Sequence, residues 1–407
     1  MSSAVRRADA RRPLPDLAVR FLRWTFLRGM CARGYWLVTS VYLVVVADLS
    51  ASELVLLGTG QGVTVLVAEV PAGVLADTVS RKWALVVAHV VSGAGMVLAG
   101  LVTDFPTLVL SQALWGLGWA FSSGADVAWL TDELDRPDLV DRVLATRARW
   151  DLTGAAVGLV GFGALAWATD LRTGVVTAGV AMAGLGGLVA LRFPERRFIP
   201  AVADRRWREA AAILRRGVAL ARRDRQILLV LVTWLLVNGS MEGYGRLLER
   251  RLVLLGFGAG QPIVWFAALG LAGLLLGALA LRVVEGRISG EDVARRTSVA
   301  GCALGVAGLL LFATAPGPAW AVAGAMAVSG VTRPVLRAVS EIWVNRRATS
   351  DVRATVGSFL SQAEHLGEIT FGLLLAAVAG AGSLTVAVLG SAVLLAVAGV
   401  VVSRARP

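Results

Sequence analysis

Twelve apolar stretches recur along this chain, each long enough to cross about 30 Å of hydrocarbon. In the first half they are Met30–Ala47, Glu53–Ala72, Lys82–Val102, Thr107–Leu130, Ala145–Thr169 and Thr173–Arg192. In the second they are Gln226–Leu248, Pro262–Arg282, Thr297–Ala315, Pro318–Val339, Val356–Ala379 and Ser383–Val402. Backbone polar groups cannot stay unpaired in lipid, and these runs exceed a barrel strand, so each is predicted to be a helix. Composition agrees. Of 407 residues, 57% are hydrophobic and 17% charged, against roughly 45–50% and 25% in soluble proteins; the mean hydropathy is +0.71. A soluble enzyme, a disordered tail and a disulfide-rich secreted module are excluded, because none could solvate so much apolar surface.

The charge between the stretches tests the count. The net charge of +12 is almost all arginine, with Lys82 the only lysine. On one side lie the Arg-rich start, Arg81–Lys82, Arg136–Arg149, the long Arg192–Arg225 segment, Arg282–Arg296, Arg346–Arg353 and Arg404–Arg406. On the other lie short loops nearly free of basic residues, with Arg172, Arg250 and Arg251 the exceptions. This alternation follows the positive-inside rule and predicts that both termini are cytoplasmic in a multi-pass protein of the cell membrane. The charge thus reports topology and attraction to anionic headgroups, not a nucleic-acid partner. The first stretch reads as an uncleaved helix in preference to a cleaved signal peptide. Cys31 and Cys302 each stand alone, with no metal spacing and no disulfide framework.

The longest connection divides the chain. A cytoplasmic start (1–29), a first bundle (30–192), a basic linker (193–225), a second bundle (226–402) and a tail (403–407) are the expected parts. Within the linker, Trp207–Ala221 places arginines opposite apolar residues and is predicted to be an amphipathic surface helix. Gly73-Val-Leu-Ala-Asp77 is echoed by Gly277-Ala-Leu-Ala-Leu281, and Gly161-Phe-Gly by Thr370-Phe-Gly, each half a chain later. The echoes support duplicated halves. The expected fold is therefore all-α: a polytopic membrane protein of 12 transmembrane helices in two pseudo-symmetric six-helix bundles.

The connection Gly73-Val-Leu-Ala-Asp77-Thr-Val-Ser-Arg81-Lys82 resembles the major facilitator superfamily motif Gly-x-Leu-Ala-Asp-Arg-x-Gly-Arg-Lys/Arg, with Thr78 for its Arg and Ser80 for its second Gly. Glu69-Val-Pro-Ala-Gly73, Ser123 to Asp132 and Val352-Arg-Ala-Thr355 are similar to segments of bacterial efflux-like members. The resemblance implies a rocker-switch transporter. Departures bear on the finer class: Gln112 stands where proton-coupled drug exporters carry an Arg, and Gly154, Gly158 and Gly161 occur without the exporters' proline.

The resemblance also implies a gate of Gly73, Asp77, Arg81, Lys82 and Asp132. Asp77 would accept hydrogen bonds from the start of span eleven, and Arg81 would pair with Asp132; a solvated turn with no gating role is the bland alternative. Polar residues inside spans usually face protein or a water-filled cavity, since lipid exposure costs about 2.5–3.5 kcal/mol. They are Gln61 and Glu69 in span two, Asp126 in span four, Asn238, Glu242 and Arg246 in span seven, and Glu364 and Glu368 in span eleven. Asp126 and Glu368 have no basic residue one turn away, whereas Glu242 and Arg246 can neutralise one another. Glu69 can serve a structural bond beside Pro71, and His89 reads as packing before proton relay. Acids outnumber bases in this set, which favours cationic or hydrophobic substrates and leaves room for protons. The expected function is proton-coupled export of small compounds by a monomer without cofactor. An uptake permease and a transport-inactive scaffold or sensor are the alternatives; a membrane enzyme finds no nucleophile–base or metal constellation.

Overall fold

The computed structural model describes residues 14–209, 212, 215, 225–285, 291–347 and 350–405; at 137, 285, 291, 344–347 and 350–359 the backbone alone is described. Every predicted span lies on helix, and no strand occurs among the described residues. The first half comprises α1 (Asp16–Val45), α2 (Ala51–Thr78), α3 (Arg81–Leu101), α4 (Phe105–Ser122), α5 (Ala125–Leu134), α6 (Pro137–Ala168) and α7 (Leu171–Arg192). The second comprises α8 (Arg225–Leu254), α9 (Pro262–Glu285), α10 (Glu291–Thr314), α11 (Pro318–Ala325), a π-helical turn (Met326–Thr332), α12 (Arg333–Arg347), α13 (Ser350–Ala381) and α14 (Leu384–Ser403).

Ten described helical segments are long and apolar enough to cross a membrane. The segments of spans one and four do not reach that threshold, and the sequence shows why. Span one carries Arg28 and Arg33 on α1, while α4 has 18 residues with Gln112 near its middle. Span four, expected as one helix over Thr107–Leu130, is broken in two. Gly124 takes the left-handed conformation (φ 77°), which separates α4 from α5. Span ten is interrupted by the π-helical turn Met326–Thr332, the kind of bulge that re-aims a helix inside a bundle.

The helix of span one also begins earlier than expected, at Asp16 and not near Met30. Its added turns bury Phe21, Leu22 and Trp24 completely. Trp129 stacks on Phe193 at 4.2 Å, with Trp24 edge-on to Phe193 at 6.0 Å. Apolar contact of this size outweighs the arginines interleaved with it. Of the amphipathic helix expected over Trp207–Ala221, residues 207–209, 212 and 215 are helical; the rest lies outside the described residues.

Within the first half α1 packs along α6, α3 lies between α4 and α7, and α2 lies on α4. In the second, α8 packs on α13 and α14, α10 on α14, and α9 on the π-helical turn. Across the halves, α2 meets α13 and α8, and α9 meets α6 and α1. Small residues permit the close crossings. A methyl group at Gly154 or Gly158 would strike the carbonyls of Phe26 and Met30, so α6 can lie against α1 only with glycine there; Gly161 faces open space. At the end of the bundle away from the termini, hereafter the far end, helices start on side-chain caps. Ser50 and Glu53 form a reciprocal capping box on α2. Asp104 and Asp170 cap α4 and α7, and hydrogen bonds from Thr107 and Thr173 hold both carboxyls below the usual carboxylate range.

Candidate functional site

Polar groups between the halves fall into layers, counted from the far end. The outermost layer is a seal. Arg250 of α8 pairs with Asp48 at 3.3 Å and also donates to the Leu49 carbonyl. Trp167 Nε1 of α6 donates to Gln261 Oε1 at 3.1 Å, and a methyl at Gly380 of α13 would touch Ser52 of α2.

The next layer joins three helices. Arg246 Nε donates to Glu242 Oε1 at 2.8 Å, Arg246 Nη2 donates to Gln61 Oε1 at 2.9 Å, and the guanidinium sits 4.8 Å from the Trp36 ring. The i, i+4 spacing fixes the first bond; the other two cross between halves. Gly58 makes this layer possible, because a methyl there would overlap the Glu242 carboxylate and the Arg246 guanidinium. Asn238, read from spacing as the third member of the stripe, is buried and donates to the Trp234 carbonyl of its own helix at 2.8 Å. An amide that satisfies itself on a turn four residues back has no need of the cavity.

Deeper still, Glu368 Oε2 meets His365 Nδ1 at 3.1 Å. Glu242 and Glu364 act electrostatically on Glu368, and Arg337 of α12 faces Glu364, Glu341 and Glu368. Glu69 completes the row: Gln362 Nε2 donates to it at 2.8 Å, with Ser123 at 3.3 Å and Ser361 at 3.5 Å. It therefore ties α2 to α13 and to the break after α4.

Asp126 does not belong to this cavity row. Its carboxylate accepts from Arg28 at 3.3 Å and from Arg147 in a shorter contact, and its side chain is 5% exposed. Both partners come from other helices, α1 and α6, which a search one turn away along its own helix cannot find. His89 is likewise spoken for: Nε2 accepts from Trp24 Nε1 at 2.9 Å in a buried pair.

The gate residues gather at the arginine-rich end. Arg81 bridges Asp77 (3.1 Å), Asp132 and the Ala128 carbonyl (3.1 Å). Gly73 stands in open space, and Lys82 Nζ lies 5.9 Å from the Trp83 ring. The expected contact of Asp77 with the start of span eleven involves residues 350–359, whose side chains lie outside the described residues. The contacts described for Asp77 come instead from the linker: Arg206 pairs with its carboxylate at 3.0 Å, and Ala201 N–H donates to its carbonyl at 2.9 Å.

The described start of the linker, residues 195–206, clasps this gate. Glu195 accepts from Ser80 Oγ (2.5 Å) and Lys82 N–H (2.9 Å), and Glu133 accepts the Arg196 and Arg197 amides at 2.7 and 2.9 Å. Phe198 lies 5.8 Å from the Arg81 guanidinium. A basic linker with an amphipathic surface helix, as expected from sequence, does not anticipate this clasp. The acids Glu133 and Glu195 beside a run of arginines were its only signal.

A polytopic helical chain with charged groups held between two helical halves has the architecture of a membrane transporter. Residues 25–369 match the Major Facilitator Superfamily, and the chain belongs to that family. Solved structures share its fold. A mutant of the nucleoside transporter NupG superposes with a TM-score of 0.78 at 16% identity, over 96% of this chain and 100% of that one. The peptide transporter POT in complex with sulfate gives 0.71 at 16% identity, over 95% and 94%. A bacterial homolog of the human lysosomal transporter Spinster, in an inward-facing and occupied conformation, gives 0.70 at 13% identity, over 95% and 96%. No curated protein matches by sequence.

Proposed function

We propose that this chain is a proton-coupled secondary transporter that exports small amphipathic compounds across the cell membrane by alternating access. Bundles 30–192 and 226–402 rock about the cavity, with both termini and the linker in the cytoplasm. The observation that carries the reading is the asymmetry between the two ends. At the far end Arg250–Asp48 and Trp167–Gln261 join the halves. At the arginine-rich end, the described partners of Asp77, Arg81 and Asp132 belong to the first half or the linker. With basic loops inside, the far-end bonds close the outer side. The outward-open state requires the far-end bonds to break and the gate to close on the second half.

The acidic row supplies the proton site. Glu368, with His365 on one oxygen and the carboxylates of Glu364 and Glu242 nearby, lies where a proton relieves repulsion between like charges. Export is favoured by the efflux-like segments around Glu69, Asp126 and Val352. The cation preference expected from a surplus of acids is set aside, because Arg33, Arg333 and Arg337 also lie inside spans.

Proteoliposomes loaded with a pH-sensitive dye test the coupling under an imposed pH gradient. A candidate amphiphile is expected to move against proton flow, and Glu368→Gln should keep substrate exchange while losing proton movement. If an uncoupler changes nothing for any transported compound, proton coupling is wrong. Accumulation in right-side-out vesicles, in place of expulsion, would make the chain an uptake permease.

A further inference from the structure

We infer that Arg33 of α1 and Arg333 of α12 form a two-armed binding site for the anionic group of an organic acid in the central cavity, an inference that rests on the transporter reading above. Both residues are exposed, although Arg33 lies inside the apolar stretch of span one and Arg333 inside the candidate span Pro318–Trp343. Counted from Val45 at the far end of α1 and from Pro318 at the start of span ten, both sit about 20 Å deep at 1.5 Å per residue. A guanidinium at that depth is costly unless it meets water or a partner. They come from opposite halves, and the charge of Arg333 acts on Arg33.

Neither arginine has a hydrogen bond or ion pair among the described residues. Asp151 of α6 is the carboxylate that acts on Arg33, without reaching ion-pair distance. The other arginines of the cleft are occupied: Arg246 by Glu242 and Gln61, Arg250 by Asp48, and Arg337 by Glu341. Two like charges of one cleft, with no partner among the described residues, repel one another, and an anion between them relieves that repulsion.

The surroundings fit a small organic acid. Ser329 lies four residues before Arg333 on the π-helical turn, and its hydroxyl is 2.9 Å from Tyr244 Oη. Tyr244 in turn interacts electrostatically with Arg333. Trp36, one turn along α1 from Arg33, offers an aromatic face beside the Arg246 guanidinium. Planar guanidinium groups suit carboxylate, sulfonate or phosphate equally. Because one arm comes from each half, a bound anion draws the halves together, and its release frees them to separate. Substrate charge would thereby act on the same equilibrium that the far-end seal biases.

The test uses the full chain in lipid nanodiscs and proteoliposomes, with three matched probes: 4-phenylbutyrate, its methyl ester and 4-phenylbutyl-trimethylammonium. The carboxylate is expected to bind and exchange, and the ester and ammonium to bind at least about tenfold more weakly. Arg33→Gln and Arg333→Gln should each weaken carboxylate binding by about tenfold or more. Arg33→Lys and Arg333→Lys keep the charge, guard against a folding defect and should retain part of the affinity. Phenylglyoxal should modify both arginines in the empty protein, with the carboxylate protecting both together. Tighter binding of the ammonium probe, or carboxylate binding indifferent to both Gln variants, overturns the site. Exchange of ester or ammonium without carboxylate removes this inference and leaves the transporter reading standing. Carboxylate binding with no exchange of any probe does the reverse.

Discussion

Asp126 and Glu368 are both carboxylates set within apolar helices, yet their surroundings differ in kind. Asp126 sits between Arg28 and Arg147, with all three groups in the first half. Glu368 has a histidine on one oxygen, with two further carboxylates and Arg337 in its field and no arginine within ion-pair distance among the described residues. The first arrangement holds the carboxylate from two sides and fixes α1, α5 and α6 against one another. The second is open, with room for a proton or a conformational change to alter it. An intramembrane carboxylate is therefore a candidate for coupling only when no arginine holds it in an ion pair. Residue type and depth do not decide that; partners do.

The sharpest way to break the comparison is to neutralise both carboxylates. Asp126→Asn leaves two arginines without their counter-charge and should cost about 3–5 kcal/mol, read as loss of monodisperse protein or a large fall in Tm. Glu368→Gln should leave Tm near wild type and remove only coupling. If both variants fold equally well, the distinction between a structural and a functional acid fails. Arg147→Gln should fall between, since Arg28 still holds Asp126.

Gly58→Ala sharpens the functional side. The added methyl displaces the Glu242–Arg246 pair and the bond to Gln61, so substrate exchange should drop severalfold while the first-half ion pairs persist. Wild-type exchange by a folded Gly58→Ala protein would show that this layer is not part of the pathway. Trp24→Phe, which deletes the bond to His89, should lower stability by about 0.5–1.5 kcal/mol without affecting exchange. The smallest effect belongs to Asp170→Ala at the far-end cap of α7. Because hydrogen bonds hold the Asp170 carboxyl below its ordinary range, its stabilisation is present above that range and is lost as pH falls through it. The wild-type minus variant difference in Tm should shrink on acidification.

Much of the architecture was legible because hydropathy and charge alternation are one-dimensional signals. Each predicted span lies on helix, since lipid forces every long apolar run into that form. The breaks were less legible. Gly124 ends α4 by a backbone conformation that composition does not announce, and the early start of α1 depends on Trp24 meeting Phe193 across the half. The Glu242–Arg246 pair could be read from i, i+4 spacing, and its bond to Gln61 could not. Arg28 and Arg147 were counted as loop charge, which hid their claim on Asp126. Arg33 lies inside the first predicted span, a cation in an apolar run that neither the loop charges nor the polar residues of the spans included.

The central claim is that the far end seals and unseals in each cycle. Ser52→Cys combined with Gly380→Cys tests it most directly, because the Cβ of Ser52 lies 3.7 Å from the position a Cβ would take at Gly380, within the usual span of a disulfide. Oxidation should cross-link the pair and stop substrate exchange in proteoliposomes, and reduction should restore it. Cross-linked protein that exchanges substrate at the reduced rate would contradict alternating access through this seal.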